Sequence, residues 1–340
     1  MLTKKILFRA DGCSKKGLGH LYRLFSLVEM VRNKFEFVFL TRDTSALSVI
    51  PELYNTVVIP KTVTLENEPV WLNENFPYKE YIIIADGYQF IAPYQKKIKD
   101  IGYALIYVDD LANEHMYADV VVNHSPYIKK THYKKEAYTK LALGTKFALL
   151  RPLFLKEAKQ NKIIKVIDAA FVCFGGADPF NLTLKAVEAL LRFPKFKYLH
   201  IVLGGAYVHK EISDLAEKNA NKINIYRNLS ENNLVKIMQK CNFSIAPAST
   251  ILFELLCVKM PIFSGFYVDN QELIYNGFSK NNAIYKGGDM RDYQVHDFER
   301  NIELILKEQK FNHQIEAQKR LFDNDIVVRH LNLINELCTQ

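Results

Sequence analysis

Residues 4–28 read KKILFRADGCSKKGLGHLYRLFSLV, and the residue pattern changes twice within this span. An apolar run ends near Arg9, a loop with three glycines follows, and an amphipathic helical pattern begins at Leu18. Glycines let a backbone approach a ligand closely, and the free N–H groups at a helix N-terminus favour an anion such as a phosphate. The order strand, glycine loop, helix is therefore typical of an α/β domain with an anion site after its first strand.

His20 lies on the first turn of the predicted helix, where it would face a bound anion. The positive end of the helix dipole disfavours imidazolium, so we expect a neutral ring that can accept a proton near pH 7. The alternative is a histidine that only caps the helix or is partly buried. A dinucleotide site is disfavoured, because the pattern that starts at Gly17, Gly17-Leu18-Gly19-His20-Leu21-Tyr22, lacks the third glycine of that fingerprint, and the next strand ends in Thr41-Arg42 without an acidic residue.

Composition narrows the class of protein. The chain has 340 residues, 49% hydrophobic and 24% charged, which is enough for two globular domains. It contains no apolar window of about 18 residues and no signal-peptide pattern, so we expect a cytoplasmic protein without stable membrane insertion. The five cysteines are scattered, which favours reduced thiols over disulfides or a zinc site.

The formal net charge of the chain, +8, is modest for its length, and the basic residues are dispersed along the sequence. A nucleic-acid footprint usually needs a concentrated basic stripe, so no nucleic-acid partner is expected. A small anionic molecule and a membrane surface would fit this charge equally well as partners, and we expect a monomer.

Short apolar runs alternate with helical patterns along both halves of the chain. This alternation predicts an α/β fold of two doubly wound, Rossmann-like domains facing a cleft. The predicted domains are 1–150 and 165–340, joined within a lysine-rich stretch, 144–168, that lacks clear periodicity. The region 297–337 is expected to form two or three helices at the end of the second domain.

Chemistry-bearing residues fall at predicted strand ends, where ligands bind to parallel sheets. Asp86-Gly87-Tyr88 follows one strand, and Asp109-Asp110 follows another. The second carboxylate pair is compatible with a metal, with acid and base catalysis, or with capping of the next turn. Gly175-Gly176-Ala177-Asp178-Pro179-Phe180-Asn181 is either a ligand loop or a plain turn into a helix.

The densest segment is Ala246-Pro247-Ala248-Ser249-Thr250-Ile251-Leu252-Phe253-Glu254. Ser249 and Thr250 stand where a helix begins, so they either cap it or bind phosphate. Glu254 lies in an otherwise apolar stretch, where a carboxylate needs a partner such as a sugar diol. The alternatives are a salt bridge or exposure to solvent.

Taken in order, these segments resemble the UDP-2,4-diacetamido-2,4,6-trideoxy-β-L-altropyranose hydrolases of pseudaminic acid synthesis. The resemblance covers about residues 4–285, and it includes Asp269-Asn270-Gln271 near its end. It implies the two-domain GT-B fold of MurG-like glycosyltransferases, with UDP held by the C-terminal domain, the sugar in the cleft, and neither a metal nor a cofactor required.

The same resemblance implies roles for individual residues. His20 would be the base that activates water for attack at the anomeric carbon, with Asp11 nearby and Tyr88 lining the sugar site. The residues implied to bind the substrate are Gly17, Gly19, Arg23, Asn123, Gly175, Gly176, Asp178, Asn181, Ser249, Thr250, Glu254, Asn270 and Gln271.

Two other functions are compatible with these residues. A glycosyltransferase would use the same donor but move the sugar to an acceptor, for which Lys15, Lys16, Leu18 and Leu21 are a candidate binding patch. A nucleotide-sugar-binding protein without turnover is disfavoured, because a passive binder needs no base.

Overall fold

In a computed structural model of the protein, residues 4–13, 17–308 and 311–339 are described. The chain forms two compact units, the first comprising Met1–Pro152 and Asn324–Gln340 and the second Leu153–Asp323. Each is a parallel α/β structure, as the alternating pattern predicts.

The first unit contains a seven-stranded parallel sheet with the strand order β3-β2-β1-β4-β5-β7-β9. Its strands are β1 (Lys5–Ala10), β2 (Phe37–Arg42), β3 (Thr56–Ile59), β4 (Tyr81–Asp86), β5 (Leu105–Val108), β6 (His115–Met116), β7 (Val120–Asn123), β8 (Lys134–Lys135) and β9 (Lys140–Leu143). Its helices are α1 (Gly19–Val31), α2 (Glu68–Asn75) and α3 (Ala92–Ile101). The short strands β6 and β8 pair only with each other.

The second unit contains a six-stranded parallel sheet with the strand order β12-β11-β10-β13-β14-β15. Its strands are β10 (Ala169–Val172), β11 (Tyr198–Leu203), β12 (Ile223–Arg227), β13 (Phe243–Pro247), β14 (Ile262–Phe266) and β15 (Tyr285–Asp289). The helices that follow Pro152 in chain order are α4 (Pro152–Ala158), α5 (Leu182–Leu191), α6 (Glu211–Lys218), α7 (Glu231–Lys240), α8 (Thr250–Val258), α9 (Asp269–Lys280), α10 (Val295–Glu308), α11 (Phe311–Lys319) and α12 (Ile326–Cys338).

Strand order places a switch point in each sheet, where the chain changes the direction in which it adds strands. In the first sheet this point lies between β1 and β4, whose register sets Ala10 beside Asp86. In the second sheet it lies between β10 and β13, with Val172 beside Ile245. Ligands of open α/β sheets bind outside the carboxyl ends of the strands at such points, so both are candidate sites.

Burial of apolar side chains explains why these segments form these elements. The strands at the centre of each sheet are almost entirely buried, as expected for strands covered by helices on both faces. Helix α1 buries Leu21, Leu24, Phe25 and Val28, which recur at the spacing of one helical face.

The structure corrects the predicted extent of the second domain. Residues 324–340 belong to the first unit, because α12 buries Ile326, Ile334 and Leu337 in that unit and packs against α1 and β4. An ion pair between Lys140 and Glu336 joins α12 to β9. A second correction concerns the stretch 144–168, which lacks clear periodicity in the sequence but contains α4 in the structure. Strand β9 ends directly before this stretch.

Candidate active site

His20, Asp86 and Arg23 meet at the switch point of the first sheet. His20 is the second residue of α1, and Asp86 is the last residue of β4. The imidazole Nδ1 lies 2.6 Å from Asp86 Oδ1. The Asp86 side chain is fully buried, whereas the imidazole is 12% exposed. Helix α1 therefore carries the ring to the carboxyl end of the neighbouring strand.

Arg23 lies on the same face of α1 as His20, three residues further along the helix. Its Nε donates to Asp86 Oδ2 at 2.8 Å, and its Nη2 donates to Asp86 Oδ1 at 2.6 Å. Burial alone raises the pKa of Asp86, but Arg23 and His20 outweigh it and hold that pKa below its usual value. Asp86 is thus a buried carboxylate that accepts two hydrogen bonds from one guanidinium.

Asp110 and Tyr88 close the cluster on the side away from Asp86. Arg23 Nη1 donates to Asp110 Oδ2 at 2.6 Å, and the Tyr88 hydroxyl donates to the same oxygen at 3.1 Å. The Tyr88 ring packs edge-on against His20, with 4.6 Å between ring centroids. Tyr88 is 42% exposed, so this wall of the site is open to a ligand.

Two contacts of the His20 imidazole bear on its tautomer. Asp86 Oδ1, 2.6 Å from Nδ1, can only accept and so favours a proton on Nδ1, whereas Arg23 Nη2, 2.8 Å from the same nitrogen, can only donate and so favours a lone pair there. In the first tautomer the lone pair is on Nε2, which can accept a proton from water or a hydroxyl. A carboxylate that orients a histidine in this way also stabilises the imidazolium formed after proton transfer.

Asp11, implied to lie near His20, is held in a separate ion cluster at the ends of β1 and β2. Both its oxygens accept from Arg9, at 2.6 and 2.8 Å. It also accepts from the Arg42 backbone N–H at 2.8 Å and from Gln89 Nε2 at 3.1 Å. Within the described residues its hydrogen bonds do not include His20.

Arg9 is fully buried and also binds Glu68, with Nε 2.7 Å from Oε1. Tyr94 donates to the same carboxylate at 2.9 Å, and Arg42 pairs with its other oxygen. A buried charge is costly unless it is paired. This cluster therefore fixes the loop after β1 that carries Asp11.

The adjacent carboxylates of Asp109 and Asp110 face different partners. Asp109 accepts from Tyr133 at 2.7 Å and from Asn123 Nδ2 at 3.2 Å, and burial raises its pKa. Asn123 is itself fully buried, and its Oδ1 accepts from the Ser125 backbone. The amide of Asn123 thus supports Asp109 from beneath the surface.

The glycines of the first loop have different constraints. Gly17 has a φ of +87°, which favours glycine, whereas a Cβ added at Gly19 would meet nothing within 4 Å. Leu21, predicted to contribute to an acceptor patch, is fully buried and packs beneath Gly12. That patch also included Lys15 and Lys16, which lie outside the described residues.

Three loops meet at the switch point of the second sheet, after β10, β13 and β14. The Tyr267 hydroxyl donates to the Phe174 carbonyl at 2.8 Å, which ties the third loop to the first. The loop after β11 also approaches closely, because a Cβ at Gly204 would lie 2.3 Å from the carbonyl oxygens of Gly175 and Gly176. Gly175 has a φ of +80°. The first loop is therefore a tightly packed backbone turn.

Asp178 shapes the end of this turn. Its two oxygens accept from the backbone N–H groups of Leu182 and Thr183, both at 2.8 Å, so it caps α5. Asn181 has a φ of +49° and accepts from the Tyr207 hydroxyl at 2.7 Å. The Asp178 carboxylate and the side-chain oxygen of Asn181 are thus engaged within the protein.

Helix α8 begins at Thr250, directly after β13. Ser249 is its N-cap residue, but its side chain makes no capping hydrogen bond. The helix N-terminus is thus left without the side-chain cap that the sequence makes possible. Glu254 lies one turn further on, with 5% exposure among apolar neighbours of the same helix.

Asn270 and Gln271 lie in the first turn of α9. Gln271 is 7% exposed, and its Oε1 accepts from the Tyr267 backbone N–H at 3.1 Å. Gln271 therefore orders the loop between β14 and α9.

The sequence reasoning did not assign a role to Asp86 as the partner of His20. The signal that could have found it is strand order, because in a doubly wound sheet the first and fourth strands are neighbours.

In the described parts of the chain, no helix is long and apolar enough to cross a membrane.

No model of a known protein family matches the chain. It is 29% identical over 293 residues to an uncharacterized protein of Methanocaldococcus jannaschii, covering 81% of this chain but only 58% of that protein. It is 28% identical over 271 residues to the UDP-2,4-diacetamido-2,4,6-trideoxy-beta-L-altropyranose hydrolase of Campylobacter jejuni, covering 79% of this chain and 93% of that enzyme. The spore coat polysaccharide biosynthesis protein SpsG of Bacillus subtilis is 24% identical over 279 residues, with 81% and 80% covered.

Solved structures establish the fold. MurG of Acinetobacter baumannii superposes with a TM-score of 0.65 at 13% identity, over 98% of this chain and 99% of that one. The Anabaena protein Alr3699/HepE in complex with UDP-glucose superposes with a TM-score of 0.61 at 14% identity, over the same shares. The chain therefore has the GT-B fold of MurG-like glycosyltransferases and is a moderately similar homologue of the UDP-diacetamido-trideoxy-altropyranose hydrolase.

Proposed function

We propose that the protein hydrolyses a UDP-linked 2,4-diacetamido-2,4,6-trideoxy sugar to the free sugar and UDP, as a step of pseudaminic acid biosynthesis. The observation that carries the proposal is the contact of His20 with the buried carboxylate of Asp86. With the proton of the ring on Nδ1, Nε2 is the proton acceptor at the switch point of the first sheet. The similarity to the Campylobacter jejuni hydrolase supplies the substrate class.

In this reaction the oxygen of a water molecule attacks the anomeric carbon. The bond between that carbon and the phosphate oxygen breaks, and its electron pair leaves with UDP. The water proton passes to His20 Nε2, and Asp86 stabilises the resulting imidazolium. Tyr88 would contact the sugar, because its ring adjoins His20 and is open to solvent.

The second unit would hold the nucleotide. The uncapped N-terminus of α8, with Ser249 and Thr250, would bind the pyrophosphate through backbone N–H groups. Glu254 would accept hydrogen bonds from the ribose hydroxyls. The tight turn at Gly175 and Gly176 and the loop carrying Asn270 would complete this site.

A glycosyltransferase is the second candidate, and the observation that favours it is the fold. The structural neighbours of this chain include the calicheamicin glycosyltransferase CalG4, with a TM-score of 0.65. The same base could take a proton from an acceptor hydroxyl instead of from water, so access of water to the site decides between the two reactions.

The test is to incubate the purified protein with UDP-2,4-diacetamido-2,4,6-trideoxy-altropyranose in the absence of any acceptor. We expect steady release of UDP over many turnovers. Release that begins only after an acceptor is added would indicate the transferase, and binding without release would indicate a nucleotide-sugar-binding protein.

A further inference from the structure

Arg23 is implied by family resemblance to bind substrate, but its position at the switch point points elsewhere. The residue is 6% exposed, and three nitrogens of its guanidinium donate to two buried carboxylates. Asp86 takes Nε and Nη2, and Asp110 takes Nη1. A guanidinium engaged in this way is pre-organised toward the protein and has little left to offer a ligand.

Two contacts connect this guanidinium to the proposed base. Nη2 and His20 Nδ1 each lie 2.6 Å from Asp86 Oδ1 and 2.8 Å from each other. Because Nη2 can only donate, its approach to Nδ1 opposes a proton there, whereas the shorter contact of Nδ1 with the carboxylate oxygen favours one. On its other side Arg23 shares Asp110 Oδ2 with Tyr88, whose ring packs against His20. Five side chains thus form a closed cycle of contacts that includes the imidazole: His20, Asp86, Arg23, Asp110 and Tyr88.

We propose that Arg23 is a positioning residue: it holds the Asp86 carboxylate against His20 so that His20 keeps its proton on Nδ1 and presents Nε2 to the nucleophile. This inference rests on the proposed function for the role of Nε2 in hydrolysis. The tautomer itself does not depend on any reaction.

The charges around His20 predict how the cluster responds to substitution. Facing the ring are Asp86 from β4, Arg23 from α1 and Tyr88 from the loop after β4, with Asp110 one contact further away. His124 lies near Arg23 and Asp86, and burial holds its pKa at about 3, so it adds no charge near neutral pH. Arg23 is thus the positive charge that contacts the ring, and Asp86 and Asp110 are the two carboxylates that this guanidinium binds.

Two substitutions that preserve shape should therefore shift the protonation of His20 in opposite directions. Arg23→Gln removes a positive charge beside the ring, so His20 should take up its proton at a higher pH. Asp110→Asn removes a negative charge, so His20 should take up its proton at a lower pH. Arg32→Gln, on an exposed part of the same helix paired with Glu29, is the matched control.

The measurement is NMR of protein with ¹⁵N-labelled histidine, titrated in the absence of substrate, with the His20 signals identified by their loss in His20→Asn. We expect the proton on Nδ1 in the wild type and in Arg32→Gln, and the two opposite shifts in the cluster variants. The acidic limb of kcat/KM should move in the same directions, and kcat of Arg23→Gln should fall about 10- to 100-fold with little change in KM.

The proposal is overturned if the wild-type ring carries its neutral proton on Nε2, or if both variants titrate like Arg32→Gln. A rise in KM with unchanged kcat in Arg23→Gln would return this residue to substrate binding. If circular dichroism shows that Arg23→Gln does not fold, the shift in Asp110→Asn decides. Absence of hydrolysis together with the expected NMR result would remove the proposed function and leave the positioning role intact.

Discussion

At the level of single residues, the proposed hydrolysis depends on one nitrogen atom, Nε2 of His20. Its partner Asp86 is fully buried, so the orientation of the ring is set from within the protein and not by the ligand. The imidazole itself retains 12% exposure.

Replacement of this histidine tests the role of the base. In His20→Asn the acceptor-free release of UDP should fall about 10²- to 10⁴-fold, the usual contribution of a positioned general base. UDP affinity, measured by calorimetry, should stay within about twofold of the wild type because the side chain acts on water and not on the nucleotide. His115→Asn, a partly exposed histidine of the same unit paired with Glu136, should retain full activity. Full activity in His20→Asn would refute the mechanism.

Local sequence was informative about His20 and less so about its partners. The glycine loop and the helix after it predict the placement of this residue on a first helical turn. Arg23 is separated from His20 by one turn, so a shared face was predictable, but its salt bridges were not. Asp86 is 66 residues from His20 in sequence, and only strand order brings it to the ring.

At the element scale, the proposed nucleotide site depends on loops that pack backbone against backbone. Gly204, at the end of β11, faces the carbonyl oxygens of Gly175 and Gly176, and neither carbonyl can swing aside as a flexible side chain can. The neighbouring Gly205 has open space around it.

Two alanine substitutions therefore form a matched pair. Gly204→Ala should destabilise the protein by about 1–3 kcal/mol, the usual cost of overpacking, and weaken UDP binding because the turn at Gly175 must move. Gly205→Ala should leave both quantities near the wild-type values. Urea unfolding followed by circular dichroism and UDP calorimetry provide the measurements. Equal behaviour of the two variants would contradict the close approach of these loops.

Most elements were predictable from periodicity, and those that were missed share a physical reason. Val120–Asn123 and Glu231–Lys240 are examples, because an apolar run or an amphipathic pattern ends there at a clear boundary. Strand β9 is four residues long and begins with a lysine, so it carries little pattern of its own. It pairs with β7, and that tertiary contact determines its conformation.

At the level of the whole molecule, the last helix belongs to the same compact unit as the first strand. This segment, α12, could be predicted as a helix, but local periodicity does not reveal which unit its apolar face covers. His330 of α12 is 2% exposed and packs edge-on against Phe147. Burial lowers the pKa of His330 to about 4.

This buried histidine makes stability depend on pH. In the unfolded chain a histidine takes up a proton below a pKa of about 6.5, whereas folded His330 takes it up only near 4. Between these values the unfolded state binds more protons, so the free energy of unfolding should decrease by about 3 kcal/mol as the pH falls from 6.5 to 4.

The single tryptophan, Trp71 of α2, reports on the same unit as α12. Urea unfolding followed by its fluorescence should show a smaller decrease across this pH range in His330→Asn than in the wild type. The residual slope is expected because His124 is also buried with a lowered pKa. His132→Asn, an exposed histidine of this unit, should behave as the wild type. An unchanged slope in His330→Asn would contradict the assignment.

In the proposed reaction, water attacks the anomeric carbon of a UDP-sugar, and no acceptor molecule is needed. The most direct measurement is to run the acceptor-free reaction in ¹⁸O-labelled water and to locate the label by mass spectrometry. Because the oxygen of water would bond to the anomeric carbon, we expect one ¹⁸O in the released sugar, none in UDP, and continued turnover. Label in the phosphate of UDP would contradict it, because that result requires attack at phosphorus.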